Sequence, residues 1–270
     1  MFQAVGRGAL TLAASQPELP GIDDFMPPEI LFQGTPFAMN RIIFVRFIAM
    51  VVILLGLGIT AARAKLIPSR WQSLIEVLLD FVRNSVVYEV MGELRGKRYV
   101  PMITTIFLTV MVFNLCGIVP GLNIAATATI TMPLVFALWA FFQYMITGIR
   151  EQGVGKYLKQ ELFPAGVPWP LYIILTPIQL LELVVIKPAS LTIRLFANMI
   201  AGHLLVAISL AFAQFYIIEA SNHLLALAGV GWFALGFALT AFEMFVAALQ
   251  AYIFAILTTV YINQSYPEED

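Results

Sequence analysis

One cysteine and two histidines in 270 residues leave little room for metal or redox chemistry. Cys116 has no partner for an intrachain disulfide and reads as a small apolar filler. With only His203 and His223 there is no Cys/His cluster at metal-ligand spacing, so neither a metal site nor a cofactor is expected. Charge is scarce as well: Asp, Glu, Lys and Arg make up 11% of the chain, against roughly 25% in a soluble domain. The net charge is −1 and the longest basic run, Arg95-Gly-Lys-Arg98, is too small for a nucleic-acid footprint. Also absent are low-complexity tracts and the inverted repeats that mark many transporters. What fills the chain is apolar, 60% of residues with a mean hydropathy of +0.89. That composition belongs in a bilayer.

A helix needs about 20 mostly apolar residues to cross a bilayer. On that criterion the spans fall at about 42–62, 101–119, 129–149, 170–218 and 224–262. The predicted fold is therefore an all-α polytopic membrane protein with about five transmembrane helices. Between the first two spans, Trp71, Leu74, Val77, Leu78, Phe81, Val82 and Val86 recur at helical spacing. They suggest either an amphipathic helix lying in the interface or one packed on other spans. The last two segments exceed a perpendicular crossing and must tilt or bend, with Pro177 and Pro188 as places to bend in the first. Residues 1–41 hold Pro17, Pro20, Pro27, Pro28 and Pro36 and no clear secretory signal, so they read as a retained N-terminal arm before a membrane domain at 42–270. The loops at 63–99 and 150–169 carry ten of the fifteen Lys and Arg residues. The positive-inside rule puts that side in the cytoplasm or its matrix equivalent, the arm outside, and the acidic end Glu268-Glu269-Asp270 inside.

Polar residues inside the last two segments are few enough to weigh singly. Arg194 lies in an apolar run, and guanidinium cannot shed its charge, so it must meet a partner, a wet pocket or a moving counter-charge. Asn198, four residues on, shares its face, whereas His203, nine residues on, points the other way. On the last segment Gly236, Thr240, Glu243, Ala247 and Gln250 form a stripe of small and polar side chains, which either admits water or packs closely on a neighbour. The short connection makes the two helices antiparallel. Arg194 to His203 is about 13.5 Å along the axis and Gln250 to Glu243 about 10.5 Å. With Gln250 beside Arg194, Glu243 falls within about one turn of His203, and two proton carriers then share a level nearer the outside.

The string Pro188-Ala-Ser-Leu-Thr-Ile-Arg-Leu-Phe-Ala-Asn-Met-Ile-Ala-Gly-His203 closely resembles the arginine motif of subunit a of the F-type ATP synthase. Leu249-Gln-Ala-Tyr-Ile-Phe-Ala-Ile-Leu-Thr-Thr-Val-Tyr-Ile262 resembles that family's last helix, and Asn114-Leu-Cys-Gly-Ile-Val-Pro120 its second-span signature. The resemblance covers roughly residues 36–265. It implies a non-catalytic stator subunit that carries protons between two offset half-channels, with the last two helices as an antiparallel hairpin against a c-ring of small two-helix subunits. It also implies peripheral-stalk b-type subunits and membrane lipids as partners. Arg194 matches the arginine that faces the rotor carboxylate; Asn198, Gln250 and Asn114 match polar residues of the proton pathway. His203 and Glu243 fall where some bacterial members carry glutamate and histidine in the opposite order.

Two positions depart from the family pattern. Many members have a glutamate fourteen residues before the arginine; here that position is Leu180, and Glu182 is the nearest acid. Glu182 is either an inner half-channel group or a partner of Lys187 or of the inner headgroup layer. Gly117 replaces an aspartate found in some members. The Gly92–Pro101 loop points to a bacterial plasma membrane, with the mitochondrial inner membrane as the alternative. Two other readings fit the hydropathy. A secondary transporter could bind an anionic substrate at Arg194, but usually shows repeats and broken helices. A structural membrane subunit would leave the cost of Arg194, Glu243 and Gln250 in lipid unexplained.

Overall fold

A computed structural model describes residues 29–31, 39–65, 67–119, 127, 129–163, 167–219 and 223–267. Most of the N-terminal arm and the acidic end at 268–270 lie outside these residues. The part of the arm that is described forms a small antiparallel pairing of β1 (Glu29–Leu31) with β2 (Met39–Asn40). Among the described residues everything else with regular structure is helical.

Helix α1 (Arg41–Ala62) begins where Asn40 accepts the Ile43 N–H at 2.9 Å, an N-cap that satisfies one of the orphan donors of the first turn. Ser69 caps α2 (Arg70–Asp80) through Gln72 in the same way. The helix continues through a π-helical segment, Phe81–Tyr88, into α3 (Glu89–Gly96). The stripe from Trp71 to Val86 is not one face. Trp71, Leu74 and Val77 are exposed, whereas Val82 and Val86 are fully buried. The first half thus offers an uncovered apolar strip and the second half packs, so both readings of this segment apply to different parts of it.

Helix α4 (Val100–Leu115) is an apolar helix over most of the run expected at 101–119. It has 16 residues and ends in a turn where the Gly117 N–H bonds to the Asn114 carbonyl. It is nonetheless the most enclosed helix, with Ile103, Ile106, Val110 and Phe113 fully buried. Helix α5 (Thr131–Gln152) stops at Gly153, whose φ of +78° suits a residue without a Cβ. Helix α6 (Val154–Leu162) follows and lays the Tyr157 ring on Gly148, where an added Cβ would sit 2.3 Å from the ring.

The long apolar segment at 169–218 is a composite. A 3-10 turn (Trp169–Leu171) leads into α7 (Tyr172–Leu181), a π-helical segment (Glu182–Ile186), α8 (Lys187–Gln214) and a second π-helical segment (Phe215–Glu219). Helix α9 (His223–Gln264) then runs for 42 residues. Among the described residues four helices are long and apolar enough to cross a membrane: Arg41–Ala62, Thr131–Gln152, Trp169–Ile218 and Ala226–Gln264. Lipid explains this architecture, because a spanning helix satisfies its backbone polar groups internally.

Two compact units contain these elements. Ile200–Glu243 belongs to one, and Pro28–Met199 with Met244–Asp270 forms the other. The larger unit has a continuous core running from Val45 and Ala49 of α1 through Val86, Ile103, Phe113, Phe136 and Tyr144 to Leu191, Leu195, Phe254 and Ile262. Its C-terminal end is tied down by Tyr99, whose hydroxyl meets Thr147 at 2.9 Å and Tyr266 at 3.2 Å. Burial, helped by the bond to Tyr99, raises the Tyr266 phenol above its ordinary range.

Candidate functional site

Within Ile200–Glu243, α8 and α9 run antiparallel in close contact. Phe212 stacks on Trp232 at 4.9 Å between ring centroids, and Gly236 and Gly229 leave room for Leu210 and Ile217. An added Cβ at Gly236 would stand 3.0 Å from Leu210 Cδ2. The glycine end of the stripe therefore packs helix on helix, as small residues in membrane helices do. Thr240 takes care of its own hydroxyl by donating to the Gly236 carbonyl at 2.8 Å.

That close approach brings His203 and Glu243 together. Nδ1 of His203 lies 3.3 Å from Oε1 of Glu243, and each side chain is 12% exposed. Gly202 makes the contact possible: a Cβ there would be 2.9 Å from Glu243 Oε1 and 3.3 Å from its Cγ. The carboxylate rests on bare backbone beside the imidazole. Two titratable groups in contact and largely out of water can hold and pass a proton.

The larger unit contains the other polar residues. Arg194 is exposed, and among the described residues it has no hydrogen-bond or ion-pair partner. Its neighbours Leu191, Thr192 and Leu195 are buried while Ile193 and Ala197 are exposed, so the guanidinium projects from the uncovered flank of the helix, about 100° round from the core. Asn198, one turn later, is half-buried. Leu191 and Leu195 share the core cluster with Ala251, Phe254 and Ala255 of α9. Gln250 is 5% exposed, and its Nε2 has no hydrogen-bond partner among the described residues. Asn114 is 2% exposed near the end of α4 and accepts a 2.8 Å hydrogen bond from Thr127.

Glu182 opens the π-helical segment, half-buried and without a polar partner among the described residues. The pairing with Lys187 does not form. The Lys187 ammonium lies 3.6 Å from Glu161 of α6 and over the rings of Tyr144 and Tyr261, at 5.9 and 5.5 Å. A lysine among aromatic rings gains cation–π attraction there, and Glu161 supplies the opposite charge. Burial pushes the neighbouring Tyr157 phenol up to about 12, and the nearby Glu161 carboxylate adds to that. Glu161, Tyr144, Thr127 and Gly202 are participants that periodicity does not single out. Of these, only the glycine inside a helical pattern next to His203 carried a local signal.

Among the described residues no group of three or more potential metal ligands exists. Each unit by itself carries groups suited to ion handling: Arg194 as an exposed cation and Gln250 as a buried amide with a spare donor in the larger, and the His203–Glu243 acid–imidazole pair in the smaller. The sequence matches the family described as ATP synthase A chain over residues 43–263. Proteins named ATP synthase subunit a are similar along most of their length. The one from Rhodococcus erythropolis is 40% identical over 253 residues, 94% of this chain and 92% of its own. That of Gluconobacter oxydans is 35% identical over 262 residues, 96% and 98% of the two chains. That of Magnetococcus marinus is 40% identical over 204 residues, 76% and 74%.

Proposed function

Because this chain belongs to the ATP synthase A chain family, we propose that it is the non-catalytic stator of a rotary ATP synthase, guiding protons through two offset half-channels past a rotor carboxylate. The observation that carries this reading is Arg194, a permanent cation on the uncovered side of an apolar helix with no partner among the described residues. Such a charge is costly in lipid, and a carboxylate arriving from outside the chain would offset that cost. A c-ring of small two-helix subunits supplies one in this reading, with b-type stalk subunits and membrane lipids as further neighbours. The bacterial origin of the relatives supports a bacterial plasma membrane.

The sequence of events follows from charge. A proton coming from outside passes Asn114, His203 and Glu243 and neutralises a rotor carboxylate. Only the neutral acid crosses lipid at acceptable cost. After nearly a full turn it loses the proton on the inner side, with Glu182 as the chain's acid there, and returns past Arg194 as an anion. Arg194 stabilises that anion, which lowers the carboxylate's pKa, and repels protons that would otherwise run straight from one half-channel to the other. Asn198 and the spare Gln250 donor solvate the passing carboxylate.

The test is ATP-driven proton pumping in membranes with equal amounts of assembled complex. Arg194→Ala should abolish pumping, and Arg194→Lys should be severely impaired, because a point ammonium does not replace a planar fork. Near-normal pumping by assembled Arg194→Ala complexes would refute the role of Arg194.

A further inference from the structure

Proline at position 188 creates a problem that the backbone solves in an unusual way. In an α-helix residue 188 would donate to the Val184 carbonyl, but proline has no N–H and its ring presses on that carbonyl. Here the chain instead widens to π geometry over Glu182–Ile186, and the Lys187 N–H reaches back five residues to the Glu182 carbonyl. The same register makes Leu183 the acceptor for residue 188, which has nothing to donate. The Tyr144 hydroxyl, from α5, takes that carbonyl at 2.8 Å. Tyr144 and Leu183 are both 2% exposed, so neither group has water as a ready substitute.

A π turn accommodates one more residue than an α turn, so everything before it is rotated by about 100° relative to everything after it. Burial records the rotation. Leu183, Leu191 and Leu195 are all buried in one core. Uninterrupted, Leu183 would point about 80° from Leu191 and about 120° from Leu195; with the extra residue both differences fall to about 20°. Glu182 and Arg194 are likewise twelve residues apart. An uninterrupted helix would separate them by about 120°, and the π turn reduces this to about 20°. The acid therefore lies on Arg194's side of the helix, about 18 Å toward the basic loops.

We infer that Tyr144 is a positioning residue: by holding the Leu183 carbonyl it keeps the π turn in place, and the π turn keeps Glu182 in phase with Arg194. The alternative is the α register, in which the Lys187 N–H serves Leu183, proline kinks the helix at Val184, and Glu182 swings off the Arg194 side. Tyr144 selects between the two. The inference rests on the stator reading above.

The experiment is a set of double-mutant cycles on ATP-driven proton pumping, normalised to assembled complex. Tyr144→Phe removes only the hydroxyl and leaves the ring beside Lys187. Pro188→Ala reaches the same end from the other side, because the restored N–H favours the α register. Each should slow pumping on the order of tenfold when Glu182 is present, as expected for an unsatisfied buried carbonyl or a lost register. In a Glu182→Gln background each should add less than about twofold, because the phase of an absent acid no longer matters. A general loss of packing would add equally in both backgrounds. Equal losses in the two backgrounds, a wild-type rate for both variants, or a silent Glu182→Gln would each overturn the inference. If Tyr144→Phe does not assemble, the Pro188→Ala cycle decides alone. Arg194→Ala in the same assay separates the two levels: retained pumping there refutes the stator reading itself.

Discussion

Gly202→Ala is a one-methyl change aimed at a single contact. The new Cβ would lie 2.9 Å from Glu243 Oε1, 3.2 Å from Cδ and 3.3 Å from Cγ. The first distance is prohibitive and the others are tight, so the carboxylate must retreat by about 1 Å at van der Waals contact. Oε1 is also the atom 3.3 Å from His203 Nδ1. Displacing Oε1 from the imidazole breaks the direct contact through which the two groups share a proton, a loss of about 1 kcal/mol, roughly fivefold to tenfold. The helix itself gains, since alanine is favoured over glycine by up to about 1 kcal/mol in a helix interior. Assembly should therefore survive and the loss should fall on proton delivery. The assay is ATP-driven pumping in inverted vesicles matched for assembled complex, with a fivefold to tenfold decrease expected. Combining Gly202→Ala with Glu243→Asp, shorter by one methylene, should recover part of the rate. A wild-type rate in assembled Gly202→Ala complexes would refute the idea that the bare backbone at 202 serves the His203–Glu243 contact.

Two further outcomes concern the last helix and its partner. Gln250→Leu should impair ATP synthesis much more than Gln214→Leu, because Gln250 is buried with a spare donor while Gln214 is exposed; equal effects would mean that the stripe only packs. His203→Glu places two carboxylates in contact and Glu243→His two imidazoles, so each alone should slow synthesis through like-group repulsion. The exchanged double variant, with one of each, should recover more than the product of the two losses allows. Strictly multiplicative losses would show that the pair does not act as a unit.

Much of the membrane architecture is legible in the sequence. Apolar runs near 42–62, 129–149, 170–218 and 224–262 all became long helices because a bilayer leaves a chain few other ways to satisfy its backbone. The run at 101–119 became a 16-residue helix, since hydropathy measures how apolar a segment is and not where Cys116 and Gly117 turn. The His203–Glu243 contact was within reach of simple counting, because Arg194 and His203 lie on one regular α-helical stretch and Glu243 and Gln250 on another, with no π turn between the members of either pair. Glu182 was not. Its direction depends on a π turn, and a fixed 100° per residue misplaces everything beyond such a turn.

The sequence by itself determined that this is a helical membrane chain, which residues in it are too polar for lipid, and which family it belongs to. Those properties are local: a run of apolar residues, a charge within it, a string of sixteen letters. Only the tertiary structure decided that Lys187 pairs with Glu161 and not Glu182, that Gly202 is the seat of the Glu243 carboxylate, and that Tyr144 completes a turn 39 residues away. Each of these depends on two segments distant along the chain meeting at a particular register. The energy that selects the register, a single hydrogen bond or a missing methyl group, leaves no periodic trace in either segment.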